Sequence, residues 1–219
     1  MNSFPTGRYP SLEPGRTALL VLDMQRIWLE PGQCWSHSLW PEDHYFYSET
    51  SGHTIPAIQQ LLATARRKGM EVIHVITQSL TSDGRECSRE HKLAPIHIGP
   101  GSDIARPVAA VAPVNDEIVL TKTSWAAFSA TNLDYLLQNM GIDCVLVTGI
   151  MTDQCIDMTM REGVELGYHM TCVSDACAAA SLERHKTTLK ALSSICSVSD
   201  SNAVSWRLRS LPPTPKAAA

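Results

Sequence analysis

One stretch near the middle of the chain constrains its fold more than any other. From Cys144 to Val147 the chain is continuously apolar and largely β-branched, which predicts a short strand buried on both faces of a parallel sheet. Gly149 follows, and a turn then leads into apolar residues at helical spacing that end at Gly167. Cys155 is therefore expected on the first turn of a helix, at the carboxyl edge of the sheet.

This position allows two interpretations of Cys155. Unpaired amides and the positive end of the helix dipole stabilise a thiolate and can lower its pKa below the usual value of about 8.5. That environment favours a nucleophile. Most free cysteines, however, are small buried hydrophobic residues. Cys155 alone does not decide between the two interpretations.

Length, charge and composition set broad limits. With 219 residues, 44% of them hydrophobic, we expect one domain over residues 1–219 with a substantial core. A net charge of −4 gives no reason to expect nucleic acid or an anionic membrane as a partner, and no apolar run approaches the roughly 18 residues of a membrane helix. Seven cysteines without a C-x-x-C pair, and no apolar leader, predict reduced thiols in the cytoplasm.

Strands alternate with helices along the chain, which predicts an α/β fold with a parallel sheet. The strands are predicted at residues 17–23, 71–76, 117–120, 144–147, 168–173 and, weakly, 195–198, and the helices at 54–68, 131–140, between Cys155 and Gly167, and after Ser181. Residues 1–15 are predicted to form an extended arm and 212–219 a mobile tail. The aromatic segment 34–47 is interpreted as an irregular loop over a cleft or a neighbouring subunit. The polar segment 77–112 is predicted to be a long loop that covers an active site or an interface.

Three reactive side chains follow predicted strands: Asp23 after the first, Lys122 after the third and Cys155 after the fourth. In parallel α/β sheets, ligands bind at the carboxyl ends of the strands. Each residue has an ordinary explanation, since Asp23 can cap a turn and Lys122 can be a surface lysine. Their shared position is what points to a common site.

Together these side chains can perform nucleophilic catalysis. Asp23 can accept the thiol proton of Cys155, and Lys122 can hold Asp23 in place and favour the thiolate. Backbone amides of Met151 and Cys155 can stabilise an oxyanion. The set predicts hydrolysis of an amide C–N bond through a covalent intermediate on Cys155.

Three motifs in order resemble the signatures of the isochorismatase-like cysteine hydrolases, over roughly residues 17–200. Residues 21–25 read Val-Leu-Asp-Met-Gln, residues 122–124 read Lys-Thr-Ser with Phe128 four positions on, and residues 149–155 read Gly-Ile-Met-Thr-Asp-Gln-Cys. The resemblance implies a Rossmann-like three-layer α/β/α fold with a six-stranded, mainly parallel sheet. It also implies a triad of Asp23, Lys122 and Cys155, no cofactor, a cis peptide bond between Ile150 and Met151, and a homodimer or homotetramer. Aromatic residues between positions 35 and 47 would suit the subunit interface.

The branch of the family is indicated by shorter stretches. Cys155 argues against isochorismatase proper, which lacks the cysteine. Residues 77–80 read Thr-Gln-Ser-Leu where nicotinamidases carry the Asp-x-His of a zinc site, so no metal is predicted, and His91 and His97 are assigned to the loop. Residues 80–88, 131–135, 152–155 and 183–185 resemble the biuret hydrolase and ureidoacrylate amidohydrolase branch. The resemblance thus implies a small carbamoyl or ureido amide as substrate, with release of ammonia, although Trp125-Ala126-Ala127 departs from that branch.

Candidate substrate contacts are Gln25 and Gln154, because a side-chain amide offers a donor and an acceptor to a ureido group. Gln154 could instead face solvent. Trp28, Trp125 and Phe128 could wall the pocket or belong to the core. Two alternative functions stay open: the same triad acting on another small amide, such as a carbamoyl amino acid, ureidoacrylate or a nicotinamide-like compound, and a non-catalytic scaffold.

Overall fold

The computed structural model describes residues 12–33, 41–94 and 96–213. Most of the predicted arm and tail, and residues 34–40 of the aromatic segment, lie outside the described residues. The end of the predicted arm differs from expectation, because Leu12 is buried in the core and Pro14–Arg16 form a turn of 3₁₀-helix. In the described part of the chain, none of the helices is long and apolar enough to cross a membrane.

Six parallel strands form one sheet in the order β3-β2-β1-β4-β5-β6, which confirms the predicted fold class. The strands are β1 Thr17–Leu22, β2 Glu71–Thr77, β3 Ile118–Lys122, β4 Cys144–Ile150, β5 His169–Ala178 and β6 Ser197–Ser199. Every residue of β1 and β4 is buried, as expected for central strands that are covered on both faces.

Helices cover both faces of this sheet. They are α1 Arg26–Leu29, α2 Tyr45–Glu49, α3 Ile55–Lys68, α4 Arg89–Leu93, α5 Leu133–Asn139, α6 Asp157–Glu165, α7 Leu182–Leu192 and α8 Ser201–Arg209. Side chains alternate between the faces of a strand. Leu19 and Val21 of β1 therefore share a core with α2, α3 and α8, whereas Leu20 and Leu22 share the opposite core with α5, α6 and α7.

The main helix boundaries agree with prediction, but α8 was not predicted. Helix α3 ends at Gly69, which adopts the left-handed conformation (φ 64°), and α7 begins at Ser181, whose hydroxyl accepts from the Arg184 amide. Helix α8 buries only a narrow apolar stripe that includes Val204 and Leu208. So narrow a stripe gives a weak periodic signal in the sequence.

The prediction of an irregular aromatic loop is wrong for residues 45–47, which belong to helix α2. Helix α2 continues through a wider, π-helical turn at Thr50–Thr54 directly into α3. The hydroxyl of Thr50 donates to the Phe46 carbonyl at 2.8 Å and that of Ser51 donates to the Tyr47 carbonyl at 2.7 Å, which satisfies backbone groups in this turn. Phe46 and Tyr47 are buried in the core, so they do not form the exposed aromatic interface that the sequence suggested.

The segment 77–112 connects β2 to β3 mainly without regular structure, as predicted. It also contains helix α4, which Ser88 caps, and 3₁₀ turns at Asp103–Ala105 and Ala109–Val111. The short helix matters for function because it places one side chain in the pocket described below.

Strands β1 and β4 approach each other closely where they end. Gly149 has φ +117°, and a Cβ atom at this position would lie 2.0 Å from the carbonyl oxygen of Leu22. Only glycine fits such an approach in this conformation. The approach brings the residue after β1, Asp23, beside the turn that carries Cys155.

We predict that Gly149→Ala prevents folding or lowers the free energy of unfolding by more than about 3 kcal/mol, because the added Cβ clashes with backbone. Gly167→Ala is the matched control: Gly167 also has a positive φ (+92°), but no atom of the described residues lies within 4 Å of its added Cβ. The control should lose only about 1–2 kcal/mol through backbone strain. Urea unfolding followed by circular dichroism measures both, and equal losses would contradict the close approach.

Candidate active site

The carboxyl ends of three adjacent strands and the turn after a fourth meet at one cleft. Asp23 follows β1, Thr77 ends β2, Lys122 ends β3, and Cys155 lies in the helical turn Thr152–Ile156 after β4. The fold thus brings together Asp23, Lys122 and Cys155, the three residues that the sequence predicted at strand ends. Thr77 joins them and was not predicted as a site residue, although it also ends a strand at the same edge of the sheet.

Lys122 is the centre of this cluster and is fully buried. Its Nζ lies 2.9 Å from Asp23 Oδ2 and 3.4 Å from Cys155 Sγ, and it donates to Thr77 Oγ1 at 2.8 Å and to the carbonyl of Ser124 at 3.1 Å. Thr77 Oγ1 in turn donates to Asp23 Oδ1 at 2.8 Å. The ammonium group therefore contacts both the carboxylate and the sulfur, which excludes the alternative of a surface lysine.

Electrostatics sets the protonation of these groups. Burial opposes the charge on Lys122, but the neighbouring Asp23 and Cys155 more than offset it, so the pKa of Lys122 lies above its ordinary value. The pKa of Cys155 is raised to about 12, because burial and the nearby Asp23 raise it more than Lys122 lowers it. Burial therefore outweighs the position at the helix start, which can by itself lower the pKa of a cysteine. Cys155 is a thiol at neutral pH, and making it a nucleophile requires a base beside it, the position that Asp23 occupies.

The backbone is unusual at two points of the cleft. Asp23 adopts a left-handed conformation (φ 56°), which aspartate tolerates better than most residues, and its amide donates to the Val75 carbonyl at 2.8 Å. The peptide bond between Ile150 and Met151 is cis, as the family resemblance implied. Met151 and Cys155, whose backbone amides were predicted to stabilise an oxyanion, both border the pocket.

The pocket above the cluster has a volume of about 310 Å³. Much of its wall is apolar, including Trp28, Ile96, Trp125 and Ile150. The polar groups that reach it include Asp23, Thr77, His91, Gln154, Cys155 and Arg184. An apolar cavity with a few placed polar groups is typical of a small-molecule site.

Comparison with known proteins identifies the family. The model of the isochorismatase domain matches residues 17–203, most of the chain. The chain belongs to the isochorismatase family. A probable inactive nicotinamidase of Arabidopsis thaliana is 29% identical over 184 residues, which covers 79% of this chain and 86% of that protein.

Solved structures show the same fold. A cysteine hydrolase from Pseudomonas syringae pv. phaseolicola 1448A is similar with a TM-score of 0.81 and 25% identity, over 92% of this chain and 96% of the other. An N-carbamoylsarcosine amidase from Thermoplasma acidophilum is similar with a TM-score of 0.68 and 23% identity, over 85% of this chain and 97% of the other. At that identity, the second likeness establishes the fold alone.

Three of the predicted substrate contacts line the pocket of this isochorismatase family member: Trp28, Trp125 and Gln154. Gln154 is half-buried at the start of the Cys155 turn, and no group in the described residues hydrogen-bonds its side-chain amide. Its donor and acceptor are therefore available to a ligand in the pocket.

Gln25 does not have the predicted position. Its side chain is fully buried, and Nε2 donates to the carbonyls of Thr77 at 2.9 Å and Ala105 at 2.7 Å. Its Oε1 accepts from the amide of Thr77 at 2.8 Å and from the Trp28 indole at 3.2 Å. Because all of these bonds are to the protein itself, Gln25 anchors the end of β2 to the following loop and is not a substrate contact.

Phe128 is also a core residue, as its alternative interpretation allowed. Its ring stacks on Tyr168 with centroids 5.4 Å apart, within the core that covers one face of the sheet. It lies close to Gly163, where an added Cβ would be 2.9 Å from the Phe128 ring. The wall of the pocket is instead formed by Trp125, three positions earlier.

Two further pocket residues were missed by sequence reasoning. His91, assigned to the loop, lies on α4 with only 2% of its surface exposed, and its ring borders the pocket. Arg184 lies in the first turn of α7 and forms an ion pair with Asp153. The spacing Ser88-x-x-His91 is a capping signal that could have revealed the short helix. The prediction of no metal stays a prediction; among the described residues, no three His, Cys, Asp or Glu side chains are clustered as ligands.

We predict that Lys122→Met lowers the free energy of unfolding by about 3–5 kcal/mol, because it leaves the Asp23 carboxylate buried without its partner. The double variant Asp23→Asn with Lys122→Met should recover much of that loss. Urea unfolding at pH 7 measures both, and Lys190→Met on an exposed helix face is the control, expected within about 0.5 kcal/mol of wild type. A double variant as unstable as the sum of the two single variants would contradict a coupled pair.

Proposed function

We propose that this isochorismatase family member is a cysteine amidohydrolase that cleaves the C–N bond of a small carbamoyl or ureido amide and releases ammonia. The observation that carries the proposal is the position of the buried Lys122 ammonium, 2.9 Å from the Asp23 carboxylate and 3.4 Å from the Cys155 sulfur. Asp23 and Cys155 both line a largely apolar pocket. A scaffold has no need of three coupled reactive groups in such a place.

In the first step, Asp23 accepts the thiol proton as the sulfur of Cys155 attacks the carbonyl carbon of the amide. The S–C bond forms, and the carbonyl oxygen takes up the negative charge. The backbone amides of Met151 and Cys155 are the donors proposed for this oxyanion. The high pKa of the resting thiol supports a proton transfer to Asp23 that accompanies attack.

In the second step, the tetrahedral intermediate collapses and the C–N bond breaks. Asp23 returns its proton to the leaving nitrogen, so ammonia departs and a thioester or thiocarbamate remains on Cys155. Asp23 then takes a proton from a water molecule that attacks this carbonyl. The S–C bond breaks, and Asp23 gives the proton to the departing sulfur, which restores the free thiol. Lys122 holds the Asp23 carboxylate in place through their 2.9 Å ion pair, and Thr77 orients it through its 2.8 Å bond.

The carbamoyl or ureido class is supported by the unpaired amide of Gln154 and by the flat walls that Trp28 and Trp125 provide. It is also supported by the resemblance to the biuret hydrolase branch, and the amidase from Thermoplasma acidophilum shares the fold. The second candidate is an aryl amide of the nicotinamide kind, which the apolar wall favours. The relative from Arabidopsis thaliana is named a probable inactive nicotinamidase.

We further propose that the enzyme works in the cytoplasm as a homodimer or homotetramer, without a cofactor. The support is the family resemblance together with the composition, in which seven cysteines include no C-x-x-C pair. Size-exclusion chromatography with light scattering gives the subunit number, and a monomer at micromolar concentration would overturn this proposal.

The test of the proposed function is ammonia release from biuret, ureidoacrylate, N-carbamoylsarcosine, nicotinamide and acetamide. We expect turnover of a ureido compound, and Cys155→Ala should reduce it by about 10³-fold or more. Cys144→Ala, at another buried cysteine, is the matched control and should retain activity. Turnover of nicotinamide alone would favour the second candidate. No turnover of any amide would overturn the proposal.

We predict that Asp23→Asn lowers kcat by about 10²–10⁴-fold, because the group that moves the proton is lost while the cysteine remains. Alkylation of Cys155 by iodoacetamide at pH 9 should still occur in this variant, since solvent hydroxide can then remove the thiol proton. Mass spectrometry of the Cys155 peptide measures the alkylation. Unchanged kcat in Asp23→Asn would remove Asp23 from the mechanism.

A further inference from the structure

His91 is held rigidly in the wall of the pocket. It lies on α4, where the Ser88 hydroxyl accepts from the His91 amide at 3.2 Å. Its ring packs edge-to-face against Trp125, with centroids 5.1 Å apart and planes at 87°. With only 2% of the residue exposed, the imidazole has a fixed position beside the cluster.

In the described part of the chain, the ring nitrogens of His91 have no hydrogen-bond partner. Within residues 12–33, 41–94 and 96–213, no group hydrogen-bonds either of them, and the residue borders the pocket. His74 makes a useful contrast, because it is equally buried but its Nε2 lies 3.3 Å from a carboxylate oxygen of Glu117. Buried polar groups are almost always hydrogen-bonded, so an unpaired imidazole that borders a pocket requires an explanation.

The charge state of His91 suits it to binding. Burial lowers the pKa of His91 to about 4, and the charge of Lys122 adds to this effect while Asp23 opposes it. At neutral pH the ring is uncharged and offers one N–H donor and one acceptor. It can therefore pair with a neutral polar group without disturbing the ion pair of Asp23 and Lys122.

We propose that His91 binds the substrate by a hydrogen bond to a second polar group, beyond the amide that Cys155 attacks. The inference rests on the proposed amide hydrolysis, in which Asp23, Met151 and Cys155 already serve the reacting amide. The substrate class is thereby narrowed to amides with another carbonyl, N–H or ring nitrogen. The second carbamoyl group of biuret and the ring nitrogen of an aryl amide both meet this description.

The test compares matched pairs of amides that differ in the second polar group. Biuret is compared with isovaleramide, and nicotinamide with benzamide, by calorimetric titration of the Cys155→Ala protein, which binds without turnover. The second variant adds His91→Phe, which keeps a ring against Trp125 but removes both ring nitrogens. A third adds His91→Gln, which restores a donor and an acceptor without the ring.

We expect the polar member of at least one pair to bind about tenfold more tightly than its apolar partner in Cys155→Ala. His91→Phe should abolish that preference, and His91→Gln should recover part of it. Urea unfolding of each variant separates a loss of binding from a loss of folding. No preference in the parent protein, or a preference that His91→Phe leaves intact, would overturn the role of His91.

Ammonia release by the wild type distinguishes this inference from the proposed function. If the wild type hydrolyses none of the four amides but the binding preference depends on His91, the proposed reaction fails and the binding role stands. If the wild type hydrolyses an amide and the preference survives His91→Phe, the reaction stands and the binding role fails.

Discussion

The structure depends on one buried cation. Removing an ammonium group from water costs on the order of several kcal/mol in free energy, unless charged and polar partners replace the lost solvent. Lys122 has these partners only because three parallel strands end at the same place and deliver Asp23, Thr77 and the Cys155 turn to it. The close approach at Gly149 and the left-handed backbone of Asp23 are the local features that make this convergence possible.

Burial has opposite effects on the members of this site. In a medium of low dielectric, the attraction between Lys122 and Asp23 is strong, and it helps to hold the pKa of Lys122 above its ordinary value. The same burial raises the pKa of Cys155 and lowers that of His91, so both are uncharged at neutral pH. The site thus holds one ion pair and two neutral groups. In such a site, Cys155 gives up its proton within the cluster when it attacks, and it is not held as a thiolate beforehand.

The sheet and the cluster could be predicted from the sequence because parallel strands share a carboxyl edge. Asp23, Lys122 and the Cys155 turn each follow an apolar strand. They therefore meet at one edge of the sheet, and this does not depend on the conformation of the loops. The role of Gln25 could not be predicted, since its partners, the backbone of Thr77 and Ala105, become neighbours only on folding. The raised pKa of Cys155 could not be predicted, because the sequence indicates a position at the start of a helix but not how deeply the thiol is buried.

The long segment between β2 and β3 limited prediction most. Its composition indicates a loop, and a helix as short as α4 carries almost no periodic signal. His91 therefore looked like an ordinary loop residue, although it lies in the wall of the pocket. The helical residues 45–53 were missed for a related reason. Side-chain hydroxyl groups hydrogen-bond to the backbone of a widened turn there, and such a turn has no simple apolar periodicity in the sequence.

The most direct test of a mechanism centred on Cys155 is acid-quenched mass spectrometry of the wild-type protein during turnover of its best amide. We expect an acyl or carbamoyl adduct on the peptide that contains Cys155, which appears within the first turnover and disappears when the amide is exhausted. Ammonia release with the Cys155 peptide unmodified at every time, or with the adduct on another residue, would contradict it.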